Sequence, residues 1–191
     1  MTSSAVVLRR ARVSAGLTQR ALASRSGSPQ ASIARTESSV RDVACDTLDR
    51  WLRSTGHRLC ALPTLGTTAA ETADVIEREL AAGRFDSAFR AVIQLADDLK
   101  REVGAVRVAV VTAPPGSTGD ARFDALLAGV VAVRLDEQSL PHPAWVNDVT
   151  SLSERWFVDY LSEQNDDTVA ATPRQLLRLG VVLEACELES I

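Results

Sequence analysis

Between Gly16 and Glu37 the chain reads GLTQRALASRSGSPQASIARTE, two short stretches of helical patterning broken by Ser-Gly-Ser-Pro. Glycine and proline both interrupt the backbone ladder of a helix interior, so this punctuation forces a corner. Upstream, Leu8 and Ala11 recur at helical spacing and Gly16 supplies a left-handed stop, giving a first helix over 5–15. Thr18 stands where an N-cap belongs, and Leu22 and Ala23 carry an apolar face on to Ser26. Gly27 turns the chain at positive φ, Ser28 offers a second cap, and Pro29 suits the first turn of a third helix that runs to Glu37. Leu48, Trp51 and Leu52 mark a fourth helix, begun by Asp46 and ended by Gly56. Two short helices joined at a glycine-bearing turn form a helix-turn-helix, in which the first positions the second for the major groove of DNA. An ordinary helical hairpin inside a bundle uses the same turn.

The distribution of charge separates these alternatives further. Through residue 66 there are ten arginines against four acids, a net of +6, which leaves −10 for the remainder of a chain whose total is −4. Such a split points to a nucleic-acid-binding module joined to something that is not one. The sign changes in LPTLGTTAAETAD, Leu62 to Asp74, whose Pro, Gly and paired Thr and Ala read as a linker. The expected domains are therefore 1–66 and 67–191, the first basic and four- to five-helical, the second acidic and mostly helical. The fold class is mainly α.

The run from Leu8 to Gly56 resembles the Xre family of helix-turn-helix regulators, which includes phage repressor and Cro proteins. The matching positions are Leu8, Arg12, Gly16-Leu17-Thr18-Gln19, Leu22-Ala23, Gly27, Ile33, Arg35, Glu37, and Leu48 with Leu52. Ser28, Thr36 and Val43 depart from the pattern, where a small apolar residue, an inward Ile or Leu, and Pro are usual. Ala21 removes the acidic half of a capping box. The resemblance implies that Gln30, Ala31, Ser32 and Arg35 read bases, with Ala34 near the groove. Gln pairs with adenine, Arg with guanine, and an Ala methyl touches the thymine methyl. It also implies phosphate contacts from Gln19, Arg12 and Arg41, and binding to double-stranded DNA as a homodimer on paired half-sites. HRLCAL, His57 to Leu62, reads as a short strand that could pair across a two-fold axis, or equally as a loop.

In the acidic half, Phe85, Phe89, Val92, Ala96, Leu99 and Val103 step by four and three, the clearest helix in the chain, and Ala73, Ile76 and Leu80 mark a shorter one before the Gly83 break. AVRVAVV is ambiguous between strand and helix. PPGSTGD reads as a surface turn capped by Asp120, since it lacks the lysine and spacing of a phosphate-binding loop. Phe123, Leu127, Val130 and Val131 indicate a further helix, and Thr172-Pro173-Arg174-Gln175 a capping box opening a last one. VVLEACELESI finishes as extended chain or a final turn.

The adjacent acids Asp97 and Asp98, and Asp166 and Asp167, read as solvated surface rather than catalytic pairs. Trp145, Trp156 and Phe157 are candidates for a partner interface, or for a small core near the chain end. Cys45, Cys60 and Cys186 are widely spaced and read as small buried hydrophobes, and His57 and His142 as isolated. No cofactor, no metal and no enzymatic activity are expected. TGDARFDALLAG, LPHPAWV and LGVVLEACELES resemble helical segments of regulators encoded beside toxin genes, which implies an antitoxin holding a cognate toxin through its acidic half. The alternative is a protein-interaction module that uses the helix-turn-helix fold without DNA. No apolar run reaches the ~18 residues of a membrane helix, no signal sequence is evident, and a cytoplasmic protein without a membrane partner is expected.

Overall fold

The computed structural model describes residues 4–38, 40, 42–158 and 166–189. Its described residues are mainly helical, and contacts divide the chain into Met1–Leu62 and Pro63–Ile191. The division falls four residues before Gly66 because Leu65 and Thr67 bind the second unit through their backbone amides.

The N-terminal unit holds α1 (Ser4–Ser14), α2 (Gln19–Ser26), α3 (Gln30–Glu37) and α4 (Cys45–Ser54) among its described residues. Leu8, Ala11, Leu22, Ala23, Ile33, Leu48, Trp51 and Leu52 pack into one core, one face from each helix. Thr18 caps α2 by accepting from the amide of Ala21 at 3.1 Å, and Gly27 ends it at φ +63, a backbone that side chains with a Cβ rarely adopt. The expected cap at Ser28 does not form. Pro29 occupies the N-cap of α3 without a side-chain bond, and the Ser28 hydroxyl instead accepts from the Trp51 indole at 2.7 Å, tying the corner to α4. HRLCAL is loop, and Cys45, Cys60 and Cys186 are all exposed rather than buried. They lie on the first turn of α4, in the loop and on a short terminal helix, positions that face away from either core.

The C-terminal unit opens with a helical hairpin, α5 (Ala69–Ala81) and α6 (Phe85–Arg101). Thr68 and Glu71 form a capping box at its start. There follow α7 (Gly104–Thr112), α8 (Ala121–Asp136), α9 (Ala144–Asp148), β1 (Trp156–Phe157), α10 (Asp166–Ala171), α11 (Arg174–Arg178), β2 (Val181–Val182) and a 3-10 helix, Ala185–Leu188. AVRVAVV is thus helical, its β-strand preference overridden by the burial of Val110 and Val111. Helix α8 lies at the centre. Phe123, Ala125, Leu126, Ala128 and Val130 face one core, and Leu127, Val131, Ala132 and Leu135 face a second. Gly129 lets α11 approach so closely that a Cβ there would lie 2.4 Å from Leu176 Cδ2. Strands β1 and β2 pair in parallel, Trp156 opposite Val181.

Two buried arginines bond backbone carbonyls of neighbouring helices. Arg134 donates to the carbonyls of Ala96 at 3.0 Å and Leu188 at 2.7 Å. Arg107 donates to those of Glu102 at 2.9 Å, Lys100 at 3.0 Å and Arg134. Arg107 thereby satisfies carbonyls that the C-terminal ends of α6 and α8 leave unpaired, where a cation also suits the negative end of each dipole, while Arg134 ties α8 to the body of α6 and to the 3-10 helix.

Three further expectations are corrected here. Asp98 is buried, because it accepts backbone and side-chain bonds that water would otherwise supply. Val103 is exposed, since α6 stops before it. The Thr172 hydroxyl donates back to the carbonyl of Thr168 at 2.9 Å, leaving α11 capped by Pro173 with no side-chain bond.

Candidate nucleic-acid interface

Helix α3 buries Ile33 and Thr36 and leaves Gln30, Ala31 and Arg35 exposed, with Ser32 and Ala34 half-buried. Positions 31 and 35 lie one turn apart, as do 30 and 34, so these side chains share the outward face. Gln30, Ala31 and Arg35, expected to read bases, are thus brought together on one surface; Ser32 stands at its edge, turned toward Thr36 and Trp51, with which it lines a cavity. The Arg35 guanidinium has no ion-pair partner among the described residues.

The residues expected at phosphates are placed differently. Arg12 and Gln19 converge on Glu37, with Arg12 Nε at 2.7 Å from Oε1, and Arg12 Nη2 and Gln19 Nε2 each at 2.9 Å from Oε2. Arg12 also donates to the carbonyl of Leu17 at 2.8 Å. Arg12 therefore spends three of its N–H groups inside the unit, joining α1, the turn after it and the end of α3. The pairing with Glu37 raises the pKa of Arg12 further, against the lowering effect of its burial. Arg41 lies outside the described residues.

Sequence reasoning missed Arg9. It is exposed, and with Arg12, Gln19, Ala34, Glu37 and Ser38 it lines an open cleft of about 330 Å³ beside α3. The signal was available, because Arg9 and Arg12 are three apart on α1 and so share a face. Thr36, which stands where the resemblance puts an inward Ile or Leu, is fully buried, and its hydroxyl has no hydrogen-bond partner among the described residues.

The expected partner interface at Trp145, Trp156 and Phe157 is corrected in part. Trp156 is a core residue, 8% exposed, packed near Phe123 (centroids 5.5 Å apart) and Phe85 (6.3 Å), with the Arg122 guanidinium 5.5 Å from its ring. Phe157 is half-buried beside it on β1. Trp145 is half-buried between the two cores and donates its indole N–H to the carbonyl of Val111 at 2.8 Å. Paired aromatic rings of this kind are what a small core gains most from. Elsewhere in this unit His142 pairs with Asp136 at 2.9 Å, and Gln175 donates to the same carboxylate at 2.6 Å. Among the described residues no three His, Cys, Asp or Glu side chains are grouped to hold a metal ion, and no helix is long and apolar enough to cross a membrane.

Comparison of the chain with protein-family models, with curated proteins and with solved structures gives no match.

Proposed function

We propose that the chain is a sequence-specific DNA-binding regulator that acts as a homodimer, reading bases with α3 and using its acidic unit to bind a partner protein, as an antitoxin does. The observation that carries this reading is the outward face of α3, where Gln30, Ala31 and Arg35 stand exposed on a helix whose opposite face is locked into a core. A rigid helix presenting a bidentate amide, a methyl and a free guanidinium has the chemistry to distinguish adenine, thymine and guanine. The net charge of +6 through residue 66 supplies the long-range attraction to phosphate. No catalytic step is assigned to either unit.

The test is a titration of the purified protein against a labelled fragment of its own upstream region, at two salt concentrations, beside Gln30→Ala/Arg35→Ala. The reading requires binding that weakens steeply with salt, with a log-log slope near −0.9 per neutralised phosphate, and that the double variant loses. Arg35→Ala alone should cost roughly 1 to 3 kcal/mol on the specific site and relax preference at one base pair. Equal loss on specific and random DNA makes Arg35 a phosphate contact instead. A folded protein that binds no DNA at low salt overturns the reading in favour of an interaction module.

A further inference from the structure

The chain between the two units is gripped at both ends by carboxylates that accept backbone N–H groups. On the N-terminal side, Asp49 of α4 accepts from the amide of Leu59 at 3.1 Å and pairs with Arg53 at 2.6 Å. On the C-terminal side, the amide of Leu65 donates to Glu102, and that of Thr67 to Asp98 at 3.1 Å. Asp98 and Glu102 are one helical turn apart at the end of α6, and only 4% and 6% exposed. Asp98 accepts as well from Gln94 at 2.9 Å and Arg101 at 2.5 Å. Carboxylates this deeply buried are costly unless their oxygens are bonded, so the helix needs the amides of residues 65 and 67 as much as they need it.

The approach is close enough to admit only glycine between them. A Cβ on Gly66 would lie 2.0 Å from Asp98 Oδ2 and 2.5 Å from Asp98 Cβ, an atom fixed by the helix backbone. Cys60–Thr64 are, like Leu65 and Thr67, exposed and in neither helix nor strand, and what sets residues 65–67 apart is the pair of amide bonds to Glu102 and Asp98.

We propose that Leu65–Thr67 is a strap held down by α6, which limits the free connection between the units to Cys60–Thr64 and so holds the DNA-reading units of a dimer to one half-site spacing. The DNA consequence rests on the function proposed above, with the dimer formed through the C-terminal units; the strap itself does not. Releasing the strap frees the chain as far as the capping box at Thr68, adding Leu65, Gly66 and Thr67 to the connection. At ~3.4 Å per extended residue that is about 10 Å more reach, on the order of three base pairs of duplex.

The test uses the full chain, with Gly66→Ala and Glu102→Ala to release the strap, and a four-residue Gly-Ser insertion after Ala61 to lengthen the connection while leaving the strap alone. Amide hydrogen exchange is read first. The amides of Leu65 and Thr67 should exchange at least about 100-fold more slowly than in unstructured chain, and reach unstructured rates in both point variants while α5 and α6 stay protected. Unstructured rates in the wild type, or protection that persists in both variants, overturns the strap. Operators with two base pairs added between half-sites are read second. The wild type should lose about tenfold or more in affinity, and the two point variants and the insertion less than about threefold. Equal losses in all four proteins, with the strap shown to be released, overturn its role in spacing. A wild type that binds no operator overturns the proposed function, and the exchange rates still decide the strap.

Discussion

Arg12 and Glu37 meet in a two-point ion pair that joins the end of α1 to the end of α3, Nε to Oε1 at 2.7 Å and Nη2 to Oε2 at 2.9 Å. Gln19 closes on the same carboxylate from the start of α2. One acid therefore sets the positions of three helices, including the one whose outer face carries Gln30 and Arg35.

Glu37→Gln keeps the size of the side chain and removes its charge, leaving the partly buried Arg12 guanidinium without its partner. The N-terminal unit should lose about 1 to 3 kcal/mol. Denaturant unfolding followed at the Trp51 indole measures this, and an unchanged midpoint would show that the pair contributes no net stability.

Acid should have a related effect. Burial pushes the Glu37 carboxyl up, but hydrogen bonds from Arg12 and Gln19 together with the charge of Arg12 outweigh it, so the group titrates below its ordinary 4.5. A carboxyl held lower in the folded than in the unfolded chain stabilises the fold fully above the unfolded value, and that contribution is lost as pH falls through the folded one. The N-terminal unit should accordingly weaken as pH drops below about 4.5, and Glu37→Gln should flatten the decline. It should not abolish it, because Asp49 is lowered too, by the amide of Leu59 and then by Arg53. Melting curves of both proteins from neutral pH downward test this; parallel declines would remove Glu37 as a cause.

Thr36→Val should stabilise. The hydroxyl is fully buried without a partner among the described residues, and a methyl of the same shape ends that desolvation, for a gain of about 1 kcal/mol. A loss in the unfolding midpoint would mean that the hydroxyl is satisfied in solution, by a water molecule that valine displaces.

Gly129→Ala should destabilise the C-terminal unit even though alanine is the better helix former. The added Cβ would stand 2.4 Å from Leu176 Cδ2 and 3.4 Å from its Cα, so α11 must shift, at a cost of about 1 to 3 kcal/mol. A thermal midpoint at or above that of the wild type would show that Leu176 turns aside freely.

The features legible in the sequence were those with a local cause. Thr18 and Gly27 announce the ends of α2 because a hydroxyl cap and a left-handed glycine act within a single turn. The stripe from Phe85 to Leu99 gives α6 because its period is that of the helix. What escaped depends on distant partners. Asp98 looks like a surface acid until Thr67, 31 residues earlier in sequence, donates to it. AVRVAVV stays ambiguous between strand and helix until Arg107 and the valines beside it find α6 and α8. Within the candidate site, the outward residues of α3 were implied by the family resemblance of Leu8 to Gly56, whereas the commitment of Arg12 and Gln19 to Glu37 links residues 25 and 18 positions apart and left no periodic trace.

Helix α8 is apolar almost all round, and much of what covers it, including α9, the β1–β2 pair and α11, is encoded after it. During translation the ribosome therefore delivers the N-terminal unit first, and α8 before the part of its cover that follows it in sequence. A message that breaks off ahead of Val181 yields a polypeptide with α1–α4 already complete and α8 covered by α5–α7 but stripped of β2 and the residues after it, an exposed apolar surface of the kind that chaperones hold and proteases cut. The second unit thus ties the lifetime of the whole chain to the integrity of its own transcript.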